Sequence, residues 1–217
     1  MTITYPRDPH PLIQRVPRLR FDYEPFGAMS RSAGGAIAFQ EKAGGSLWEL
    51  ALTTIPLDRR EYDGLHAWVL SLKGGRTFKA WDFQRCFPLA YGLGALDLTR
   101  HSGGAFDGTC NVTAAGGATI ALGNLPSTYK VTAGDYVSFD WLAGRALVKA
   151  LEDATAVNGV ITGLTVGPWL LGGGTVPVTA TLVRAWALFK LKPGSFSADR
   201  NGHDATGIEA IQHTGTV

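Results

Sequence analysis

The sequence predicts a mainly β protein with one principal α-helix, an α+β arrangement, and two observations support this class. Glycine and proline contribute 28 and 11 of the 217 residues, while charged residues make up only 18%. That composition is typical of many short strands joined by tight turns. Helical periodicity is confined to residues 58–72, and most other apolar patterns alternate as in strands. The helix should therefore cover a β-sheet.

The signals for this helix are local. Asp58 can act as the N-cap, with Glu61 three residues later to complete a capping box, and Gly74-Gly75 can supply a left-handed C-cap. An apolar stripe at helical spacing consists of Tyr62, Leu65, Trp68, Val69 and Leu72. The other faces are polar, and we expect a neighbouring subunit to contact Arg59, Arg60, Asp63 and His66.

Charge, hydropathy and cysteine content exclude several classes. A formal net charge of +2 is too small to indicate nucleic-acid or membrane-surface binding. No apolar run approaches the roughly 20 residues needed for membrane insertion. Prolines and charges fill the N-terminus where a signal peptide needs an apolar region, which predicts a protein made in the cytoplasm. Cys86 and Cys110 are then expected to be reduced thiols, although a disulfide between them is the alternative.

The first 85 residues predict an arm followed by a β-β-α-β unit. Residues 1–20 contain four prolines and are expected to be an N-terminal arm that pairs little with its own domain. Strands are predicted at Ala36–Glu41 and Leu47–Ile55, joined as a hairpin by Lys42–Gly45, and at Arg76–Phe83 after the helix.

The remainder predicts an inserted domain. Residues 86–108 are irregular, and about five short strands follow, which is typical of a small barrel or sandwich. Val178–Lys192 alternates like the early strands. We therefore expect a discontinuous, sandwich-like domain (21–85 and 178–192), an inserted β-barrel-like domain (86–177) and a C-terminal arm (193–217).

No catalytic constellation is found, so the chain is predicted not to be an enzyme. The five histidines are scattered, and none has a Cys, Asp or Glu at metal-ligand spacing. Nothing indicates a metal or a cofactor. Glu152-Asp153, the only adjacent acidic pair, could serve a cell-wall hydrolase, but a solvated turn is the simpler interpretation.

Six tryptophans leave a carbohydrate-binding alternative open. Trp48, Trp68 and Trp186 fall at positions consistent with core packing. An accessory module that binds host-surface glycans would instead expose Tyr136, Trp141 and Trp169 on one open face.

One pattern of residues extends through most of the chain. It consists of Leu47–Leu50, Pro56-Leu57, Glu61, Leu65, Trp68, Leu70, Leu72–Gly75, Thr77-Phe78, Leu125-Pro126, Ala133–Val137, Leu182–Arg184 and Leu188–Leu191. With this pattern, residues 40–192 resemble tail proteins of long-tailed bacteriophages and related gene transfer agents, in particular the distal tail (Dit-like) protein family.

The resemblance implies a structural virion protein at the tail tip. It implies a ring, usually a hexamer, that connects the tail tube protein to the tail-tip hub protein, with an outward barrel that in some members is similar to oligosaccharide-binding folds. The related iron–sulfur tip proteins need a cysteine cluster. Only Cys86 and Cys110 are present, so no cluster is inferred.

Overall fold

A computed structural model describes residues 3–24, 27–31, 37–41, 47–142, 144–196 and 206–214. These residues are mainly β, with one α-helix and a closed five-stranded barrel among them. The helix α1 is Arg59–Ser71, and short 3-10 helices lie at Pro11–Gln14 and Gly92–Asp97. The strands are β1 (Arg18–Glu24), β2 (Gly27–Arg31), β3 (Ile37–Glu41), β4 (Leu47–Thr53), β5 (Phe78–Ala80), β6 (Thr109–Gly123), β7 (Lys130–Val131), β8 (Tyr136–Trp141), β9 (Gly144–Ala150), β10 (Ala154–Thr155), β11 (Ile161–Leu170), β12 (Val178–Thr181), β13 (Ala187–Leu191) and β14 (Gly207–Gln212).

A five-stranded antiparallel sheet in the order β1-β4-β14-β13-β5 carries the helix. Alternation along β4 buries Trp48, Leu50 and Leu52 on one face, as the sequence predicts. On that face Trp68 of α1 packs edge-on against Phe78 of β5, with ring centroids 5.1 Å apart. Burying these apolar side chains is the main stabilising contribution of the helix.

The helix ends as its sequence predicts. The Asp58 carboxylate accepts a hydrogen bond from the Glu61 amide at 2.8 Å, and the Glu61 carboxylate accepts one from the Asp58 amide at 3.1 Å. This reciprocal capping satisfies amides that the first helical turn leaves without partners. Gly74 and Gly75 have φ values of 83° and 77°, the left-handed conformation expected after the last turn.

The barrel closes in the order β11-β6-β12-β8-β9. Its first strand, β6, pairs with the fourth and fifth strands of the barrel, β11 and β12, and not with the second, β8. The structure thus confirms a small closed barrel, and its similarity to oligosaccharide-binding folds stays a prediction. Residues 124–135 lead from β6 to β8, and β12 lies between these two strands in the barrel. The barrel has its own apolar core, which includes Val112, Leu122 and Phe139.

Both predicted arms are wrong over the residues that the structure describes. Ile13 is fully buried in the sheet's core, and β1 begins at Arg18 within the predicted N-terminal arm. The predicted C-terminal arm contains β14, which lies between β4 and β13 with Ile208 and Ala210 fully buried. In both segments, the free energy gained by burying apolar residues against distant strands exceeds the local preference of prolines and polar residues against strand structure.

Two further strand predictions need correction. β3 pairs with β2 and not with β4, whose neighbours are β1 and β14; the proposed loop Lys42–Gly45 lies outside the described residues. Val178–Lys192 is not one strand, because β12 belongs to the barrel and β13 to the sheet. The chain therefore returns to the sheet after Thr181, and not at residue 178.

The sheet and the barrel share a polar junction. The indole Nε1 of Trp48 donates a hydrogen bond to the Leu147 carbonyl of β9 at 2.7 Å. The side-chain amide of Gln212 accepts from the Trp48 amide at 3.3 Å and donates to the Arg145 carbonyl at 3.2 Å. All of these groups are buried, so each would cost free energy without its partner. Gln212 thus connects β14, β4 and the barrel.

Replacing Gln212 by alanine should lower the free energy of unfolding by about 1–3 kcal/mol, because it leaves a buried amide and a buried carbonyl without partners. Urea unfolding followed by circular dichroism measures this value. Gln84→Ala, at an exposed glutamine, is the matched control. A loss for Gln212→Ala no larger than that of the control would show that the junction contributes nothing.

Candidate functional site

The exposed face of α1 is the surface that the sequence predicts for a neighbouring subunit. Arg59, Arg60 and Asp63 are exposed, as expected. His66 is instead half-buried, because its imidazole stacks on the Phe196 ring at 5.6 Å between centroids and 6° between planes. Residues after β13 therefore cover this part of the helix. The predicted interface is reduced to the first helical turns.

Among the described strands, β1 is the last one at its edge of the sheet. The Thr54 amide donates to the Thr206 carbonyl at 2.9 Å, so even-numbered residues of β4 direct their backbone groups toward β14. Antiparallel pairing alternates, so odd-numbered residues of β4 bond to even-numbered residues of β1. The backbone groups of Leu19, Phe21 and Tyr23 then point away from β4. We call this row the β1 edge.

One contact supports this assignment. The Tyr23 amide donates to the Asp22 carboxylate of its own strand at 2.9 Å, and not to β4. Within the described residues, no strand pairs with the β1 edge. The opposite edge of the sheet is covered, because Arg7 bridges β5: its amide donates to the Thr77 carbonyl at 3.1 Å, and its carbonyl accepts from the Lys79 amide at 2.8 Å.

Aromatic packing holds β1 in place. The Phe21 ring stacks on Trp48 with 5.3 Å between centroids, and it contacts Tyr136 and Phe189 edge-on or tilted at 5.8 Å each. Tyr23 also contacts Trp48, at 5.7 Å. An edge strand held by four ring contacts loses little conformational entropy when it pairs with a further strand.

A second open element follows β1 directly. β2 and β3 form a two-stranded antiparallel ladder from Gly27↔Glu41 to Arg31↔Ile37. In the part of the chain that the structure describes, this ladder belongs to no larger sheet. Two-stranded hairpins are marginally stable in water without further packing. The ladder is therefore a candidate contact surface.

The three candidate sugar-binding aromatics do not share an open face. Tyr136 is 7% exposed and belongs to the core of the sheet, where its hydroxyl donates to the Asp82 carboxylate at 3.3 Å. Trp141 is also 7% exposed, and its indole donates to the Leu171 carbonyl at 2.8 Å. Trp169 alone remains on the surface, at 59% exposure.

Trp169 borders a pocket of about 280 Å³ on the barrel, next to exposed Leu142 and Leu171. Its indole lies on Gly117, where an added Cβ would come within 3.2 Å of the ring. Gly117 has a φ of 61°, so glycine is favoured there for both reasons. The glycine thus allows the indole to lie flat against β6.

Titratable groups in the described residues form no metal-binding cluster. Glu152 and Asp153 accept hydrogen bonds from the Thr165 and Ala133 amides at 2.9 and 2.7 Å, which are contacts that stabilise turns. Burial, and then the nearby Asp82 carboxylate, raise the pKa of Tyr136. No helix among the described residues is long and apolar enough to cross a membrane.

Neither protein-family models nor curated proteins match this chain. The function must therefore be argued from residues and geometry. The sequence reasoning missed the β1 edge because it assigned residues up to 20 to an arm. The signal was present, since Leu19, Phe21 and Tyr23 alternate with Arg18, Arg20 and Asp22. It also missed Gln212 and Phe196, for which no local pattern exists.

Both cysteines are free, and their environments differ. Cys110 is 1% exposed in the barrel core, and burial raises the pKa of its thiol from 9.0 to about 12. Cys86 is partly buried, with its Sγ 3.4 Å from the Phe83 carbonyl that accepts its hydrogen bond. Because the thiolate is the reactive form, Cys110 should be inert in the folded protein.

A thiol reagent at pH 8 should therefore modify Cys86 in the native protein and Cys110 only after unfolding, as peptide mass spectrometry can measure. The raised pKa also has a thermodynamic consequence. Its stabilising contribution is complete below pH 9, where the unfolded thiol titrates, and it is lost as the pH rises toward the folded pKa.

Between pH 9 and 10 the free energy of unfolding should fall with a slope of up to about 1.4 kcal/mol per pH unit from this group. Cys110→Ala should remove that part of the slope, and Cys86→Ala serves as the matched control. Equal slopes for the wild type and Cys110→Ala would contradict the assignment.

Proposed function

We propose that this chain is a structural, non-catalytic subunit of a phage or phage-like tail: a distal tail ring protein that connects the tail tube to the tail-tip hub. The resemblance over residues 40–192 supports this proposal, as does a mainly β fold with a barrel. In this proposal the sheet with α1 is the sandwich-like, ring-forming domain, and the barrel projects from it. The protein would be made in the host cytoplasm and assembled into the virion.

The observation that carries the proposal is the β2–β3 ladder. The ladder lies in the sequence between Glu24, the last residue of β1, and Leu47, the first residue of β4. No described strand outside the ladder pairs with it. In a head-to-tail ring, each ladder would contact the next copy and gain the packing that it lacks alone. Arg59, Arg60 and Asp63 offer a polar surface for the tube, the hub or a further copy.

β4 cannot pair with a neighbouring subunit to build the ring, because it already has a strand on each side. The edge of β5 is likewise occupied by Arg7. We therefore assign the contacts between ring subunits to the ladder and to α1. A hexamer is the stoichiometry that the resemblance implies.

We expect purified full-length chain to form closed rings, seen by negative-stain electron microscopy and with about six times the monomer mass by light scattering. A variant that replaces residues 25–46 by Asn-Gly should fold but form no rings. Glu24 and Leu47 are register partners, so a two-residue turn can join β1 to β4 directly.

The control is a variant in which Arg59 and Arg60 become Ala, with the ladder intact; it should retain rings if the ladder is the main contact. Unchanged circular dichroism would show that each variant is folded. Wild-type chain that stays monomeric, alone and with tail tube and hub proteins added, would overturn the proposal.

A second candidate function is carbohydrate binding for host adsorption, which only the exposure of Trp169 favours. A sugar ring could stack on the open indole face while the other face lies on Gly117. The burial of Tyr136 and Trp141 removes the rest of the predicted aromatic face.

On a glycan array, Trp169→Ala should weaken any specific binding at least about ten-fold, which corresponds to roughly 1.4 kcal/mol. Trp169→Phe keeps an aromatic ring and should retain most of the affinity. Wild-type protein that binds no glycan, or binding that survives Trp169→Ala, would exclude this function.

A further inference from the structure

We propose that the β1 edge binds the β1 edge of a second copy of this chain, antiparallel and centred on Phe21. The two five-stranded sheets would then continue as one ten-stranded sheet across a twofold axis. This contact goes beyond the ring proposed above and does not depend on it. It concerns which copies pair, in which direction and in which register.

Backbone geometry selects the direction and the register. The free backbone groups belong to Leu19, Phe21 and Tyr23. An antiparallel pair centred on Phe21 places Leu19 opposite Tyr23 of the second copy and Phe21 opposite its own equivalent. Every free group then meets a free group, as a hydrogen-bonded antiparallel ladder requires. The Tyr23 amide would exchange the Asp22 carboxylate for a backbone carbonyl.

The charges on the outer face of β1 fit the same register. Along the strand the described outward residues are Arg18, Arg20 and Asp22, two positive and then one negative. In the centred antiparallel pair, Arg20 of each copy lies opposite Asp22 of the other. These are non-hydrogen-bonded pairs, in which side chains approach most closely. A parallel pair in register would place like charges opposite each other.

These arginines have no competing partner. Arg18, Arg20 and Asp22 are exposed, and neither arginine forms an ion pair within the residues that the structure describes. Charges on an edge strand ordinarily discourage pairing with other edges. The order of positive and negative side chains along β1 disfavours pairing with any strand that lacks the opposite order of charges. The β1 strand of a second copy, running antiparallel, has that opposite order. The edge therefore specifies its own copy.

The core-facing residues of β1 also favour pairing with a second copy. Leu19, Phe21 and Tyr23 are partly buried against the sheet's core, and the aromatic rings around Trp48 fix the backbone of β1. Two such strands side by side would join the two apolar clusters at their open margins. Because a seven-residue edge is short, the interface is small and the dimer should be weak.

Charge substitutions at facing positions test the contact. Arg20→Asp places two carboxylates opposite each other at both ends of the axis, and Asp22→Arg does the same with two cations. Each variant alone should raise the dimer dissociation constant about ten-fold or more in sedimentation equilibrium. The double variant R20D/D22R restores opposite charges and should dimerise as the wild type does.

Mixing gives the sharper result. An equimolar mixture of R20D and D22R should form heterodimers, because every facing pair is again of opposite charge, although neither variant dimerises well alone. Added salt should weaken the wild-type dimer and relieve the repulsion in the variants. Lys130→Asp, which makes the same change of charge at an exposed lysine of β7, is the control and should leave the dimer unchanged.

Cysteine trapping tests the register in a Cys86→Ser background. Arg20→Cys mixed with Asp22→Cys should give a disulfide-linked dimer on mild oxidation, because facing residues bring their Cα atoms within disulfide range. Arg20→Cys alone should cross-link far less, since its equivalents are offset by two residues. Dimers that ignore the charge swaps, or a chain that stays monomeric and yields no cross-link, would overturn the proposal.

The ring and this pair can fail separately. The variant that lacks residues 25–46 retains β1 and should still form the pair while losing the ring. R20D should lose the pair, whatever happens to the ladder contact. Rings that persist in R20D with an unchanged mass would therefore disprove the β1 contact and leave the ring proposal intact.

Discussion

The position of β14 is the constraint on which the rest of the structure depends. This strand is formed by residues near the C-terminus, yet it lies in the middle of the sheet between β4 and β13. Without β14, no backbone hydrogen bonds would join the pair β1 and β4 to the pair β13 and β5. Helix α1 would then have only fragments to cover. The sheet cannot close until almost the whole chain is present, so its folding requires contacts across the full length of the sequence.

The last residue of β14 also connects the sheet to the barrel. Gln212 contacts Trp48 and Arg145 through its buried amide, and Arg145 in turn donates to the Asp140 carboxylate at 2.7 Å and lies 3.8 Å from the Trp186 ring centroid. At Gly144 an added Cβ would collide with the Thr214 carbonyl. A strand that enters the sheet last therefore also fixes the barrel hairpin against it.

The sequence could predict those parts of the fold whose causes are local. The capping box at Asp58 and Glu61 and the buried side of β4 depend on residues within a few positions of each other. The structure of the two predicted arms depends instead on contacts with strands that are distant in the sequence. Pro11 opens a 3-10 turn that places Ile13 in the core. Residues 193–217 are rich in polar residues, yet Gly207–Gln212 within them gains two neighbouring strands. Composition describes a segment and cannot show which distant strand will pair with it. The candidate sites follow the same rule: Arg59 was predictable as exposed, whereas the stacking of His66 on Phe196 was not.

The two proposed contacts differ in symmetry, and this difference limits what the chain could build. A twofold contact at β1 pairs two copies and then stops, whereas a head-to-tail contact at the β2–β3 ladder continues until a ring closes. Both contacts begin within three residues of Glu24, so they lie close together in the sequence. If the twofold axis crosses the ring axis at a right angle, an assembly that uses both contacts has dihedral symmetry, as in three pairs around a threefold axis, which make a hexamer. One that uses the ladder alone would be a cyclic ring with its β1 edges exposed. The aromatic packing that fixes β1 against Trp48 makes such exposure costly, because a rigid, unpaired edge is a ready template for other strands. The order of charges on β1 would then restrict pairing at this edge to the β1 strand of a second copy.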